Sequence, residues 1–427
     1  MIKRNLLNSK EFKNAGWLIC GKVIQMLISF IISIFTTRYL GPSNFGIINY
    51  ANAYVAFFTS LCTLGINSVI IKDFVDYPDE QGKTIGTTLG LRAISSFLSA
   101  IMIVSIVSIA DRGETETIIV AALCSISLIF QVVDTINYWF QSKYLSKVSA
   151  VATLIAYIMI SVYKIILLIL GKNILWFAAS GAMDYLFIAA VLMTAYKKYN
   201  GPRLSFSWKK GKDLLGKSYH YILSGMMVAI YGYTDKLMLK QMLDETSVGY
   251  YSLATAISGM WVFVLSAIID SMYPTIVNSH KIDHKLFERK NRQLYAIVIY
   301  ASFFVSVLFM FFGKFAIHIL YGDAYLPAAE PLKIVTWYTA FSYLGVARNA
   351  WIVCENNQKY LKYMYFCAAA INVVLNYFMI PLLGSSGAAY ASLITQICTS
   401  LILPCFFKEM RPNAKLMMQA FLLREIK

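Results

Sequence analysis

The chain of 427 residues is 58% hydrophobic and 14% charged, and its mean hydropathy is +0.61. Soluble domains contain about 25% charged residues, so this composition excludes an ordinary soluble protein and indicates a polytopic membrane protein. The net charge of +16 would suit a nucleic-acid-binding protein, but the lysines and arginines lie mostly in short segments between apolar runs. We therefore attribute the positive charge to membrane topology and expect no nucleic-acid partner.

Apolar runs predict twelve transmembrane helices, because a helix needs about 20 apolar residues to cross a bilayer. In chain order, the predicted spans lie near 15–39, 46–71, 85–110, 117–140, 148–170, 174–196, 218–242, 248–278, 293–320, 331–354, 363–383 and 387–407. They predict an N-terminal six-helix lobe at 1–196, a basic cytoplasmic linker at 197–217, a C-terminal six-helix lobe at 218–407 and an amphipathic cytoplasmic tail at 408–427. We predict that the tail lies on the membrane surface, with a solvated tail as the alternative.

A weak internal repeat relates the two halves. In the first half, Gly41 and Pro42 break the apolar pattern and Gly46 follows them. The stretch 243–254 echoes this turn, and Gly249 aligns with Gly46. Weak repeats of this kind are typical of transporters with two like-built halves. The predicted fold class is an all-α polytopic membrane protein with about twelve transmembrane helices in two pseudo-symmetric six-helix lobes around a central cavity.

The distribution of positive charge predicts the orientation. Most loop lysines and arginines fall on the side that holds the N-terminus, the linker and the tail. Cytoplasmic loops carry such an excess in membrane proteins, so we expect both termini to be cytoplasmic. The loops on the opposite side are short, which counts against a membrane enzyme that assembles its site outside the bilayer.

Cationic side chains interrupt several predicted spans. Charged groups are costly at membrane depth and usually face a bundle interior or a water-filled cavity. We assign five cations to a substrate-binding cavity: Lys22, Arg92, Arg348, Lys164 and Lys236. Helical rise places the first three toward the predicted cytoplasmic side, where they would attract phosphate groups. The alternative is that each cation pairs with a buried carboxylate.

Four carboxylates in the spans are candidates for ion coupling or for such pairing: Asp134, Asp184, Asp235 and Asp270. Asp235 precedes Lys236, but successive helical residues point about 100° apart and need not pair. Asp235 is therefore either a proton or sodium site or a fixed counter-ion between helices, and we favour the counter-ion.

Motifs for other chemistries are missing from the sequence. The seven cysteines form no CxxC pair, and His280 and His284 lie in a charged predicted loop, so we expect no metal site. No Walker A pattern, GxSxG motif or pair of catalytic carboxylates occurs. We therefore expect no cofactor, no catalytic residues and no enzymatic activity.

Five ordered stretches resemble the polysaccharide transporters, the Wzx-type O-antigen flippases of the multidrug/oligosaccharidyl-lipid/polysaccharide exporter superfamily. They lie at 38–46, 234–239, 248–252, 321–332 and 376–389. The resemblance implies two six-helix lobes around a cavity. It further implies that the chain moves an undecaprenyl-diphosphate-linked oligosaccharide repeat unit across the bacterial cytoplasmic (inner) membrane, toward the outer leaflet, for O-antigen or a similar surface polysaccharide.

The same resemblance implies the partners and the driving force. The partners would be the lipid-linked oligosaccharide, membrane lipids, and the polymerase and chain-length proteins of the same pathway. Membrane potential or a coupling ion, either a proton or sodium, would drive transport. A general role of cavity cations near the diphosphate carries over to Lys22, Arg92 and Arg348. The peptidoglycan lipid flippase of this superfamily typically has fourteen helices, so the predicted twelve favour the sugar-repeat branch.

Two alternative functions remain open. A multidrug-type cation antiporter would use the same scaffold, but its cavity should be acidic, whereas the cations in these spans at least match the carboxylates in number. A membrane glycosyl polymerase is less consistent with the short outer loops and the missing pair of carboxylates.

Overall fold

The computed structural model describes the backbone of residues 10–423 and the side chains of residues 25–423. Within that part of the chain all regular structure is helical. The helices of the first half are α1 (Lys10–Cys62), α2 (Ile70–Asp76), α3 (Gln81–Ala110), α4 (Thr115–Gln131), α5 (Thr135–Ser142), α6 (Ser146–Ile169), α7 (Ile174–Lys198) and α8 (Trp208–Met242).

The second half continues with helices of similar lengths and several short breaks. They are α9 (Glu245–Gly259), α10 (Val262–Ile282), α11 (His284–Tyr321), α12 (Ala329–Ala347), α13 (Asn349–Cys354), α14 (Leu361–Leu383), α15 (Ser385–Ile397), a π-helical turn (Cys398–Ile402), α16 (Leu403–Phe406) and α17 (Arg411–Phe421).

In the predicted order, the first two spans share α1, and the second continues to the start of α2. Each of the other ten corresponds to one helix or to consecutive short helices. Nine helical segments of the described chain are long and apolar enough to cross a membrane. The all-helical membrane fold class is thereby confirmed. The breaks that divide some spans, such as the 3-10 turn Val132–Asp134 between α4 and α5, lie inside apolar runs. Hydropathy alone does not reveal them.

The first two predicted spans meet without a loop, at a kink inside α1. Gly41 has φ 72° and ψ 169°, and Pro42 follows it. A side chain is disfavoured at this positive φ, and proline cannot donate a backbone hydrogen bond to the preceding turn. One helical segment therefore ends at Gly41 and the next begins at Pro42, with no loop between them.

The chain forms two compact units. The first unit comprises residues 1–40 and 50–229, and the second comprises residues 41–49 and 230–427. A buried cluster that includes Phe74, Trp139 and Phe140 forms a core of the first unit. A second cluster, with Tyr295 and Trp351, lies in the second unit. The division at residues 229 and 230 falls inside α8, later than the linker predicted at 197–217.

In the second unit, residues 41–49 pack against the start of α9 through the two repeat-related glycines. A Cβ atom added to Gly46 would lie 1.7 Å from the carbonyl oxygen of Glu245, and one added to Gly249 would lie 2.1 Å from that of Pro42. In the repeat alignment Glu245 is the counterpart of Pro42. The contact is therefore reciprocal, as expected for two copies of one structural motif that pack face to face.

Polar contacts hold the same junction. The Glu245 carboxylate accepts hydrogen bonds from Ser43 Oγ at 3.2 Å and from Lys240 Nζ at 3.2 Å. Partial burial acts to raise the pKa of Glu245, but hydrogen bonds from its own backbone N–H, from Lys240 and from Ser43 outweigh it, so the pKa lies below its usual value. The carboxylate thus stays charged at neutral pH and ties residues 41–49 to α9.

Within the predicted basic linker, residues 202–207 form an ordered strap in the first unit. The strap crosses α3 at three glycines spaced one turn apart, Gly82, Gly86 and Gly90. The carbonyl oxygen of Arg203 would lie 2.2 Å from a Cβ atom on Gly82, and that of Ser205 would lie 2.4 Å from a Cβ atom on Gly86. The Ser205 N–H donates to the Gly82 carbonyl at 3.3 Å. Residues 202–207 can therefore approach α3 closely only because its glycines lack side chains.

A buried ion pair fastens the chain directly after the strap. Lys210 Nζ lies 2.9 Å from the Asp73 carboxylate and 3.4 Å from that of Glu80. The same ammonium lies 4.6 Å from the centre of the Tyr77 ring. The side chains of Lys210 and Asp73 are 7% and 3% exposed, whereas Glu80 is partly exposed, so Asp73 is the main buried compensation for the Lys210 charge.

We expect Asp73→Ala to destabilise the first unit by about 3–5 kcal/mol, because it leaves the Lys210 charge buried and poorly paired. The free energy of unfolding of the purified protein in detergent is the measurement. Asp79→Ala is the matched control, since Asp79 is exposed and should change stability by no more than about 0.5 kcal/mol. Equal stability of the two variants would contradict the structural role of the pair.

The C-terminal helix α17 packs onto the second unit. Leu416 and Met417 of this helix, and Met410 just before it, are buried in the core cluster of the second unit. Asn413 Nδ2 donates to Tyr295 Oη at 2.7 Å. The apolar face that we expected on the membrane surface is thus covered by α11 and its neighbours. An amphipathic pattern shows that a helix has an apolar face but not which surface covers it.

Candidate functional site

A buried polar cluster in the second unit surrounds Asp235 of α8. Its Oδ1 atom accepts a hydrogen bond from Asn376 Nδ2 at 2.6 Å. Its Oδ2 atom accepts hydrogen bonds from Tyr251 Oη at 2.5 Å and from Ser392 Oγ. Asp235 is 3% exposed. Together with Asn372, these residues form what we call the Asp235 cluster.

Four helices supply the cluster. Asp235 comes from α8, Tyr251 from α9, the two asparagines from α14 and Ser392 from α15. Asn372 and Asn376 lie one turn apart on one face of α14, and Asn376 Nδ2 also donates to Asn372 Oδ1 at 3.0 Å. Asn372 in turn donates to Ser392 Oγ at 3.4 Å. Packing of four helices therefore converges polar groups that lie far apart in the sequence.

The electrostatics of the cluster are unusual for a buried carboxylate. Every hydrogen-bond donor to Asp235 is a neutral hydroxyl or amide. Lys236 forms no ion pair with it within 4.0 Å. Lys236 Nζ donates to Asn49 Oδ1 at 3.3 Å, and Lys236 interacts with Asp235 electrostatically without direct contact. A buried charge is costly without a contacting opposite charge, so the arrangement suits a carboxyl group that binds a proton or a small cation. The favoured counter-ion role for Asp235 stays a prediction.

The oxygen atoms of the cluster fit a hard cation. Asn376 Oδ1 is buried and has no hydrogen-bond partner. It belongs to the same amide group whose Nδ2 atom donates to the Asp235 carboxylate. Carboxylate, amide and hydroxyl oxygens are ligands that hard cations prefer. In the part of the chain that the structure describes, no group of three His, Cys, Asp or Glu residues offers a site of the transition-metal kind.

Arg92 of α3 is buried against a break in the fourth predicted span. Its Nη1 atom donates to Thr135 Oγ1 at 2.9 Å and to Asn67 Oδ1 at 3.4 Å, and its Nη2 atom donates to the Gln131 carbonyl at 3.3 Å. Gln131 and Thr135 flank the 3-10 turn Val132–Asp134. Arg92 therefore satisfies acceptors at a deformed helical turn, and it interacts with Asp134 electrostatically without direct contact.

Arg348 of the second unit has a comparable environment. It lies between α12 and α13 and is 2% exposed. Its Nη1 atom donates to the carbonyl oxygens of Thr399 at 3.2 Å and Ser400 at 3.5 Å. Both carbonyls belong to the π-helical turn Cys398–Ile402, where the widened helix leaves acceptors unsatisfied. Arg348 thus stabilises an irregular turn, and a diphosphate contact of Arg92 or Arg348 stays a prediction.

Replacing Arg348 by alanine is expected to lower the free energy of unfolding by about 3 kcal/mol, because hydrogen bonds from a charged donor contribute about 1.5–3 kcal/mol each. Arg348→Lys should recover part of the loss, since an ammonium can reach one carbonyl but lacks the guanidinium fork. Thermal unfolding of the purified variants measures both effects. Arg289→Ala, at an exposed site of the second unit, is the control and should leave the midpoint unchanged.

The remaining predicted site residues lie in three different settings. Lys164 and Asp184 of the first unit interact electrostatically but form no ion pair within 4.0 Å, and Asp184 Oδ1 is buried without a hydrogen-bond partner. Asp134 accepts a hydrogen bond from Asn137 Nδ2 at 3.3 Å. Asp270 is exposed, so it is not the buried counter-ion that we considered. The Lys22 side chain lies outside the described residues.

The sequence pointed to Asp235 but not to Tyr251 or Ser392. Tyr251 is part of the second repeat stretch and Ser392 lies among small residues, and neither stands out in an apolar helix. The available signal was helical spacing: Ser392 follows Ala388 by one turn on the face of α15 that is buried. That spacing marks a packed face but not its polar partners.

Comparisons with known proteins agree with this architecture. The model of a family described as polysaccharide biosynthesis protein matches residues 12–280. A Shigella flexneri protein assigned to O-antigen transport is 20% identical over 413 residues, which cover 93% of this chain and 98% of that protein.

Solved structures show the same fold. The lipid II flippase MurJ in an inward closed conformation has a TM-score of 0.72 at 13% identity, and the match covers 95% of this chain and 91% of that one. A multidrug resistance MATE family transporter of the MOP superfamily, in an inward-facing conformation, has a TM-score of 0.67 at 12% identity, with 92% and 96% covered. The chain therefore has the fold of these two structures. The family model matches more than half of this chain, and the chain therefore belongs to the polysaccharide biosynthesis protein family.

Proposed function

We propose that the chain is a flippase that moves an undecaprenyl-diphosphate-linked oligosaccharide from the cytoplasmic to the outer leaflet by alternating access. The observation that carries the proposal is the Asp235 cluster within a fold shared with transporters, in a chain of the polysaccharide family. A transporter that works against a gradient needs a site whose occupancy changes its conformational equilibrium. A buried carboxyl group that accepts hydrogen bonds only from neutral donors and contacts no cation suits such a site.

The coupling follows from the cost of burying charge. With an empty, ionised carboxylate, the closed arrangement of Tyr251, Asn376 and Ser392 around Asp235 carries a buried negative charge that neutral donors stabilise but that no cation contacts. Binding of a proton or sodium ion removes this penalty and so favours the closed arrangement over an open one. An ion gradient would thereby favour ion binding on the side of high ion concentration and ion release on the other side. The two states of the transporter would be favoured in turn.

Membership of the polysaccharide biosynthesis protein family favours a lipid-linked sugar as the transported molecule. Deleting the gene should abolish long surface polysaccharide and cause the lipid-linked repeat unit to accumulate on the cytoplasmic side. Restoring the intact chain on a plasmid should reverse both changes, while an Asp235→Asn variant should not. Normal surface polysaccharide in the deletion strain, made by the same pathway, would contradict the proposal.

A multidrug-type cation antiporter is the second candidate, because a multidrug transporter shares the fold and a buried carboxylate can bind an organic cation. Export of a cationic dye from vesicles that contain the purified chain would favour this function. Flipping of a fluorescent polyprenyl-diphosphate sugar in the same vesicles, without dye export, would favour the first. The solved structures that share the fold are a flippase and a multidrug transporter, which favours transport over a glycosyl polymerase.

A further inference from the structure

An elongated groove runs along the surface of the first unit between α6 and α7. Its volume is about 670 Å³, and its walls include Lys147, Val151, Ile155, Ala190, Thr194 and Lys198. The groove lies at the end where α6 begins and α7 finishes, so the two antiparallel helices bring their lysines to one mouth. None of the residues that line it is acidic.

Helical spacing gives the groove a polar end and an apolar end. Lys147, Val151 and Ile155 follow one another at four-residue intervals on α6, and Ala190, Thr194 and Lys198 do so on α7. Each row runs for two turns, which is about 12 Å along a helix. All six side chains are exposed on the surface of the chain. The groove therefore presents two positive charges at its mouth and aliphatic walls further in.

This pattern matches one molecule of a membrane lipid with an acidic headgroup. The lysine-bearing end lies on the side where positive loop residues gather, which predicts the cytoplasmic leaflet. Basic pockets between transmembrane helices on that side attract anionic lipid headgroups. We propose that the groove between α6 and α7 binds an anionic phospholipid of the cytoplasmic leaflet, with its phosphate at Lys147 and Lys198 and an acyl chain along Val151, Ile155 and Ala190.

The depth of the groove separates this lipid from a transported one. A cargo that crosses the membrane needs a path through the hydrocarbon core, which is about 30 Å thick. The groove extends for less than half of that distance, so it fits a lipid that stays in one leaflet. The inference concerns lipid binding by the purified chain and holds whether or not the chain is a flippase.

The test is a titration of the purified full chain in detergent with phosphatidylglycerol or phosphatidylcholine, followed by native mass spectrometry. The unmodified chain should bind a first phosphatidylglycerol molecule more tightly than phosphatidylcholine. The K147Q/K198Q variant should bind phosphatidylglycerol about thirtyfold more weakly, since each lysine near a membrane surface adds about one kcal/mol of attraction to an acidic lipid. Ala190→Phe should also weaken binding, because it fills the apolar part without removing charge.

The matched control is K143Q/K197Q. It removes two exposed lysines close to the start of α6 and the end of α7, but neither lysine lines the groove. It should leave phosphatidylglycerol affinity within about twofold of the unmodified chain. Equal losses in the two double variants would overturn the proposal, because binding would then follow surface charge in general. Displacement of phosphatidylglycerol by a polyprenyl diphosphate at equal concentration would also overturn it, since the groove would then belong to the cargo.

Discussion

Replacing Gly46 by alanine should destabilise the folded protein by about 3 kcal/mol, the upper end of the usual cost of overpacking, because the new methyl group would overlap helix backbone. Its Cβ would lie 1.7 Å from the carbonyl oxygen of Glu245. No side-chain rotation can relieve a contact with backbone, so residues 41–49 would have to move away from α9. The loss should appear as reduced yield and a lower thermal midpoint of the purified protein.

The reciprocal contact supplies a second variant. Gly249→Ala should destabilise the same junction, since its Cβ would lie 2.1 Å from the carbonyl oxygen of Pro42. Gly259→Ala is the matched control because Gly259 ends the same helix and has nothing within 4 Å. Alanine there should be neutral or should stabilise by up to about 1 kcal/mol. Equal midpoints for all three variants would show that the two glycines do not define a tight junction.

Asp235→Asn should reduce ion-driven transport by at least about tenfold, the lower end of the loss seen when outer ligands of ion sites are removed. Asparagine keeps the shape of the side chain but cannot take up a proton or neutralise a cation. The fold should keep most of its stability, because asparagine fills the same volume and removes the cost of burying a charge. Transport into vesicles under imposed proton or sodium gradients, with thermal unfolding in parallel, measures both properties.

Glu330→Gln is the control for this experiment. It removes a carboxylate from a helix of the same unit, but Glu330 is exposed and lies outside the Asp235 cluster. Its transport rate and ion dependence should match those of the unmodified protein. If Asp235→Asn transports at the normal rate and with normal ion dependence, the cluster is not the coupling site. A large fall in its thermal midpoint would instead identify Asp235 as a structural group.

The kink in α1 is a feature that local chemistry decides. Gly41 and Pro42 interrupt the apolar run, and the kink is at that position. It depends on the backbone properties of two adjacent residues, so the local sequence suffices to predict it. The sequence also aligns Gly46 with Gly249, but the contacts of these glycines with the backbone of Glu245 and Pro42 join distant segments and are seen only in the structure.

The partners of the buried charges could not be predicted in this way. Arg92 and Arg348 were expected to face a cavity or a carboxylate, yet both donate to neutral acceptors at irregular turns. Neither the 3-10 turn nor the π-helical turn changes the hydropathy of its span. A guanidinium bonds whatever acceptor packing brings within about 3 Å, and that choice involves helices far apart in the chain.

By itself, the sequence determined that the chain is a membrane-embedded bundle of helices, where its spans lie, and which polar residues interrupt them. Those properties follow from the cost of exposing polar groups to lipid, which acts on each segment separately. Only the tertiary structure decided that Tyr251, Asn376 and Ser392 converge on Asp235, that the basic segment after α7 is an ordered strap, and that α17 packs onto protein. These outcomes depend on distances between helices, which no segment contains in its own sequence.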